Sequence, residues 1–508
     1  MAQQSISDLV SKMNGVRSTN KWDVVVSYSV KELNDFLKAA YAEDKLVSSV
    51  TLASENAVYD IRTKKYWVDT YKINFKTPTL DFVLGQRGMA RLVMPIGDGS
   101  SLVSQPYADK ELKNPGEAVK SDLPGGGKYS VVAMVPLAVI SGNKKVADQG
   151  NVVKFEGTTP SDYHIALHFK NLDGTAFQVT PEPTDDDPDM SSVIPMLVKH
   201  FQTKVSEVSY VLTGVNNRKP AEGNVLLTPK SFAFASTGDK DAGCLSLFIN
   251  VDQSGNDPGN PAPSFQPGDQ QVSPIPSGYT ASIILSDDLM AKTFIKKRLE
   301  QAGFDVTVKD QTTGSLFSLK RNVSVIAQGK ETGGKFKLSN FSYGGLTVSM
   351  QTYPLELSVA DGKVSTRWSG STQSSWDLDI VSGDVEVYQW GKVNIDLTMK
   401  KGPLAIRVDD DSINFPEFTF EQGDFSRTVS GVGCSGTDRM NGCVSNPPAF
   451  YTNTMKLEIP QVSFALKGLD YFLTTNLLEP SKKMIEVNAT AGVSTPRDYL
   501  IVGKVAAH

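Results

Sequence analysis

Trp22-Asp-Val-Val-Val-Ser-Tyr28, continued by Ser29-Val-Lys-Glu32-Leu-Asn-Asp-Phe36-Leu37-Lys-Ala-Ala40-Tyr41, is the stretch from which the fold can be read. Its first part is a β-branched strand. Ser29-x-x-Glu32 then has the spacing of a capping box, in which a serine hydroxyl satisfies an amide of the first helical turn. That predicts a helix from Val30, with Val30, Leu33, Leu37, Ala40 and Tyr41 on one stripe and Phe36 at its edge.

The same order returns at Tyr279-Thr-Ala-Ser-Ile-Ile-Leu285, where Ser286 is placed to cap a second helix. Asp287 and Asp288 fall in its first turn, where the helix dipole favours negative charge. Ala291, Ile295 and Leu299 form its stripe, Met290 and Phe294 flank it, and Gly303 is the expected stop. The two serines lie 257 positions apart (286 − 29), and a second pair of markers, Leu226-Leu-Thr-Pro229 and Leu477-Leu-Glu-Pro480, lies 251 apart (480 − 229). Nearly equal offsets predict a tandem of two units. Between them, residues 252–278 collect Pro258, Pro261, Pro263, Pro267, Pro274 and Pro276 among Gly, Ser, Asn and Asp. Such a composition sustains neither a helix nor a central strand and reads as an extended connector. The expected organisation is an N-terminal unit 1–251, a Pro/Gly-rich linker 252–278 and a C-terminal unit 279–508.

Residues 335–341, 346–350, 355–359, 376–381, 385–388 and 393–399 alternate apolar with polar side chains, separated by Gly, Asp or Ser turns. This is the pattern of a large antiparallel sheet with one dry face, so the fold class is α+β, mostly β. Asp185–Asp189 leads into Val193, Met196, Leu197, His200, Phe201 and Val205 at helical spacing. The acidic run lacks the Gly and distal Glu of an EF-hand loop and reads as the polar approach to that helix.

Composition excludes several functions. With 51 Lys and Arg against 56 Asp and Glu, the net charge of −5 supplies no field for a phosphate backbone, so nucleic acid is not an expected partner. Residues 1–13 read as polar and alternating, without the features of a Sec leader, and no run approaches the roughly 18 apolar residues of a spanning helix. The expectation is a soluble chain, cytoplasmic or released by a non-Sec route. The three cysteines read as reduced structural thiols, although Cys434 and Cys443 bracket a segment that would close a small loop in an oxidising setting.

Catalytic machinery is not evident. His164 and His168 have i, i+4 spacing without the Glu of a zinc-protease helix, and the surrounding residues alternate as a strand with Ile165 and Leu167 on the other face. No nucleophile elbow, P-loop or dinucleotide fingerprint is present. The expectation is a protein with no enzymatic activity, metal or cofactor, and a hydrophobic ligand or a protein as its partner. Exposed Trp22, Trp67, Trp368, Trp376 and Trp390 would instead suit a carbohydrate-binding adhesive β protein.

The opening Asn20-Lys-Trp22-Asp23, the Tyr279-Thr-Ala-Ser-Ile-Ile block, and the ending from Thr475-Asn-Leu-Leu478 through Pro496-Arg-Asp498-Tyr-Leu-Ile-Val-Gly503 resemble the clostridial forty-seven-kilodalton and OrfX proteins. Those are encoded beside botulinum-type neurotoxins and belong to the TULIP superfamily of tubular lipid-binding proteins. The resemblance implies two units, each a curved antiparallel sheet wrapped around a long helix with an apolar groove between them. It further implies non-catalytic binding of a lipid or membrane surface, and a role as accessory partner of a toxin or secreted complex, with phosphoinositide affinity in some members. Leu33, Phe36, Leu37, Phe294, Ile295 and Leu299 occupy the equivalent helices and are the candidate groove residues. A protein-interaction scaffold with a closed groove is the alternative. Lys292, Lys296, Lys297 and Arg298 read as the solvated side of a helix rather than a headgroup pocket.

Overall fold

The computed structural model describes, with short breaks, residues 3–168, 178–182, 192–200, 210–217, 228–329 and 485–507. From 322 to 484 it describes strand backbones, with side chains only at 351 and 354–360. The described structure is mostly β. Its centre is an eight-stranded antiparallel sheet ordered Val153–Lys154, Pro229–Thr237, Cys244–Val251, Val24–Ser29, Ala281–Leu285, Tyr499–Ala507 and Lys483–Val487, with Val493–Ser494 also paired to Tyr499–Ala507.

The two strands that announce the fold in the sequence therefore lie side by side, with Val26 opposite Ile283 and Ser27 opposite Ser282. Backbone bonds at their ends match: the Ser29 amide donates to the Thr280 carbonyl at 2.9 Å, and the Ser286 amide donates to the Asp23 carbonyl at 2.8 Å. Asp23 and Thr280 also take equivalent side-chain roles. Asp23 Oδ2 accepts from the Val251 amide at 2.9 Å, and Thr280 Oγ1 accepts from the Val505 amide at 3.0 Å. Outward from this pair come Cys244–Val251 on one side and Tyr499–Ala507 on the other, then Pro229–Thr237 and Lys483–Val487. The strands that follow the two Leu/Leu/Pro markers thus occupy matching places.

Both faces of the sheet are dry. Successive side chains of a strand point to opposite faces, so Val24, Val26 and Tyr28 join one core with Leu247, Ile283 and Leu285, while Val25 joins a second with Phe248, Ile284 and Leu500. Trp22 is wholly buried in the second core, edge-on to Phe248. That back face is covered partly by a helix, Ile6–Met13, whose N-cap Ser5 accepts from the Asp8 amide. Reading residues 1–13 as alternating is thereby corrected, because Ile6, Leu9, Val10 and Met13 recur at the helical period and pack on the sheet. Phe265 and Val272 of the proline-rich 252–278 segment also pack there, so this connector contributes to the core.

The front face shares one apolar core with further sheets of both halves. In the first half these are Tyr210–Asn216, Asp162–Leu167, Ser130–Ser141, Met89–Pro95 and Thr79–Phe82, and a smaller sheet of Ser49–Ala53, Lys65–Asn74, Ser101–Tyr107 and Val119–Asp122. In the second half, Asp305–Gln311, Gly314–Lys320, Leu355–Ala360 and Lys363–Arg367 pair in sequence order. Where the sequence suggests separate strands at 385–388 and 393–399, Val385–Met399 runs unbroken, because Gln389, Trp390, Gly391 and Lys392 pair with residues of Ser369–Ser382. Cross-strand pairing overrides the local break in alternation. Residues 335–340 lie outside the described residues.

Candidate lipid-binding site

The first helix, Val30–Ala42, starts as its sequence requires: Ser29 Oγ accepts from the Glu32 amide at 3.2 Å. Two polar clamps fix it to the sheets. Asn34 exchanges bonds with the Leu80 backbone, donating Nδ2 to the carbonyl at 2.9 Å and accepting the amide at 2.6 Å. Tyr41 donates its hydroxyl to the Phe75 carbonyl at 2.6 Å. Leu33, Phe36 and Leu37 point inward and are 0, 2 and 0 % exposed.

The second helix differs from its expected form. Ser286 Oγ caps it by accepting from the Leu289 amide at 3.1 Å, but Leu289–Ile295 is wound as a π-helix before Lys296–Gln301 continues as an α-helix. The wider turn lets Leu289, Met290, Ala291, Thr293, Phe294 and Ile295 all be buried, an inner surface broader than a 3.6-residue stripe provides. Phe294, Ile295 and Leu299 are 5, 0 and 0 % exposed.

All six candidate groove residues therefore belong to one apolar core, shared with Phe317, Leu319 and Leu357 of the second half. None of them lines the cleft of about 810 Å³ that lies at the start of the first helix among Ser29, Lys31, Asn34, Arg91, Thr280 and Lys504. Arg91 in that cleft pairs with Asp81 at 3.4 Å.

A polar junction at the start of the second helix was not evident from spacing. Asp498 accepts the Asp287 amide on Oδ1 and the Thr19 amide on Oδ2, both at 3.0 Å. Ser315 Oγ donates to Asp287 Oδ2 at 2.9 Å. Arg497 donates to the Thr312 carbonyl at 2.7 Å, the Gly15 carbonyl at 3.2 Å and Asp310 Oδ1 at 3.0 Å, while Arg17 bridges Asp288 and Asp310. Burial pushes the Asp287 carboxyl up to about 6, helped by the charges of Asp498 and Asp288 and opposed by Ser315 and Arg497. Burial also pushes Asp498 up to about 6, against the amides of Asp287, Thr19 and Ser18. Asp287, read as a dipole partner, is instead part of this buried latch. The Pro496-Arg-Asp498 block was the available signal, but pairing across more than two hundred residues cannot be inferred from spacing.

Asp162–Leu167 is a strand, with Ile165 and Leu167 buried and His164 half-buried opposite Gly214. Among the described residues no cluster of three or more His, Cys, Asp or Glu is arranged for a metal. Cys244 is a buried thiol in contact with Thr237. Trp67 is half-buried and donates Nε1 to Thr63 at 3.1 Å. Asp185–Asp189, Cys434, Cys443 and the side chains of Trp368, Trp376 and Trp390 lie outside the described residues. No described helix is long and apolar enough to cross a membrane.

No family model and no curated protein sequence matches the chain. Among solved structures it is similar to P47 from Clostridium botulinum A2, at 12 % identity and a TM-score of 0.52, over 96 % of this chain and 98 % of that one. A crystal structure of lipopolysaccharide binding protein aligns over 96 % of this chain and 99 % of its own at 10 % identity, with a TM-score of 0.28. At full coverage but such low identity, what the chain shares with the P47 structure is its fold, a distant structural relationship.

Proposed function

We propose that the chain is a non-catalytic protein that binds a lipid or other apolar ligand, built as a TULIP-like tandem and acting as an accessory component of a toxin or secreted complex. The observation that carries this reading is the apolar interior shared by both helices and the front of one sheet, to which the two halves contribute in mirrored strand order. Matching bonds at Asp23 and Thr280 support the tandem. An acyl chain taken into such an interior would be held by apolar burial, at about 0.8 kcal/mol per methylene.

Native mass spectrometry of the purified chain, with organic extraction of what dissociates, tests the reading. A bound mass that extracts as lipid is the expected outcome. A chain that is empty as purified and gains no mass from fatty acid or phospholipid would favour a second reading, a protein-interaction scaffold with a closed interior. The near-complete burial of all six candidate residues, and the Asn34 and Tyr41 clamps on the first helix, support that alternative.

A further inference from the structure

Six large apolar side chains stand exposed among the described residues: Val58, Tyr59, Ile61, Leu112, Val119 and Val146. Three of them, Val58, Tyr59 and Ile61, belong to one hairpin at the end of the small first-half sheet, Leu112 lies in the loop after Ser101–Tyr107, and Val119 starts the strand beyond, opposite Ser104. Val58–Asp60 pairs with the start of Lys65–Asn74 to form a hairpin, with Val58 opposite Trp67 and Tyr59 opposite Tyr66. The neighbouring strand Ser101–Tyr107 ends with Tyr107 opposite Tyr66, so the loop holding Leu112 projects from the same end. Exposed apolar side chains scattered singly need no explanation, whereas a cluster at one tip marks a contact surface.

The hairpin tip is braced by side-chain hydrogen bonds. Asp60 accepts the Arg62 amide at 2.9 Å and the Thr63 hydroxyl at 2.8 Å, and Thr63 in turn accepts Trp67 Nε1. The Tyr59 and Tyr66 rings are in contact, with centroids 4.9 Å apart. This framework holds Ile61 at the apex, 80 % exposed, with Val58 at 66 %. Arg62, Lys64 and Lys65 surround the apex, all exposed, and none is in an ion pair among the described residues. Against them the tip has one acid, Asp60, whose carboxyl already accepts two bonds of the turn. The hairpin is therefore cationic on a chain of net charge −5. The second loop carries two lysines and three acids between Tyr107 and Val119, a net of −1 (2 − 3), so it adds Leu112 to the apolar surface but none of the positive charge.

We propose that the 58–67 hairpin is a membrane-contact wedge, which inserts Ile61 at its apex into the interface of a bilayer containing anionic lipid. Tyr59 and Tyr66, close behind the apex, then lie at headgroup depth, where aromatic rings with a polar edge are favoured, with Val58 and Trp67 one pair farther from the tip, and Arg62, Lys64 and Lys65 meet lipid phosphates. An aliphatic apex within a ring of exposed cations complements a charged lipid surface. This contact goes beyond the ligand-binding reading and does not depend on whether the interior holds a lipid.

Flotation of the full chain with vesicles of phosphatidylcholine, with and without phosphatidylserine, tests the wedge. The wild type is expected to float, more strongly with phosphatidylserine. Ile61→Asp, at a position too exposed to affect folding, is expected to reduce flotation at least about tenfold. Replacing Arg62, Lys64 and Lys65 together with alanine is expected to abolish the difference between the two vesicle types, and Val146→Asp to leave flotation unchanged. Wild-type flotation undiminished in Ile61→Asp would overturn the proposal. So would a wild type that ignores both vesicles and instead self-associates through Ile61 in sedimentation velocity. The native mass spectrum is read independently of all these outcomes.

Discussion

Asp287 and Asp498 hold their protons at a pH where ordinary aspartates have lost them, because each is buried beside the other's segment at the start of the second helix. With folded values raised from 3.8 to about 6, each binds a proton in the folded chain that it releases on unfolding within that window. Their contribution to stability is therefore fully present below the unfolded value and is lost as pH rises through the folded one. Asp287→Asn removes one titrating carboxyl while preserving its shape, so the change in urea midpoint between about pH 5 and about pH 7.5 is expected to differ from that of the wild type, the variant losing less on the rise. Identical pH profiles for the two proteins would contradict this account of the junction. The capping serines allow a second test at the same scale. Ser29→Ala and Ser286→Ala are each expected to cost about 1 kcal/mol in chemical denaturation, since each leaves a first-turn amide without its acceptor. Both caps could be read from the sequence, because a cap is a bond across three residues. The Asp287–Asp498 latch could not, because it spans the chain.

The second helix shows how an element can be located from sequence but not fully specified. Its start at Ser286 and its stop near Gly303 are legible in local chemistry, while the π-wound turn over Leu289–Ile295 is imposed by the number of apolar side chains the core accepts there. Deleting the exposed Lys292 is expected to tighten this turn to an α-helical one and leave Lys296–Gln301 in register, with Leu299 still in the core, while narrowing the buried surface of the turn. The loss of stability should fall short of that of Leu299→Ala, about 2–5 kcal/mol, in a denaturation series comparing the two variants. The N-terminal helix shows the opposite case, since its helical period at Ile6, Leu9, Val10 and Met13 is present in the sequence. What covers the sheet's back face becomes clear only when Leu9 and Met13 are seen against Val25 and Phe248.

At the scale of the whole molecule, the central sheet binds the halves together. Val24–Ser29 takes one neighbour, Cys244–Val251, from its own half and the other, Ala281–Leu285, from beyond the proline-rich segment. Separating the halves would leave both Val24–Ser29 and Ala281–Leu285 with an unpaired apolar edge, a template for aggregation. Residues 1–251 or 279–508 expressed alone are thus expected to aggregate, whereas the full chain should show a single cooperative transition by fluorescence and circular dichroism. Two separate transitions, with soluble fragments, would show that the halves are energetically independent. The sequence by itself determined the strand-then-helix order after Trp22 and after Tyr279, the capping serines, the predominance of β structure and the inward stripe carrying Leu33 and Leu37, because these depend on side-chain periodicity and bonds within a few residues. Only the tertiary structure decided that the two opening strands pair with each other, that the candidate groove residues are enclosed in one core, that Asp287 meets Asp498, and that Ile61 is left exposed at a cationic tip. Burial, long-range pairing and exposure depend on which distant surfaces meet, and residue spacing along the chain does not encode them locally.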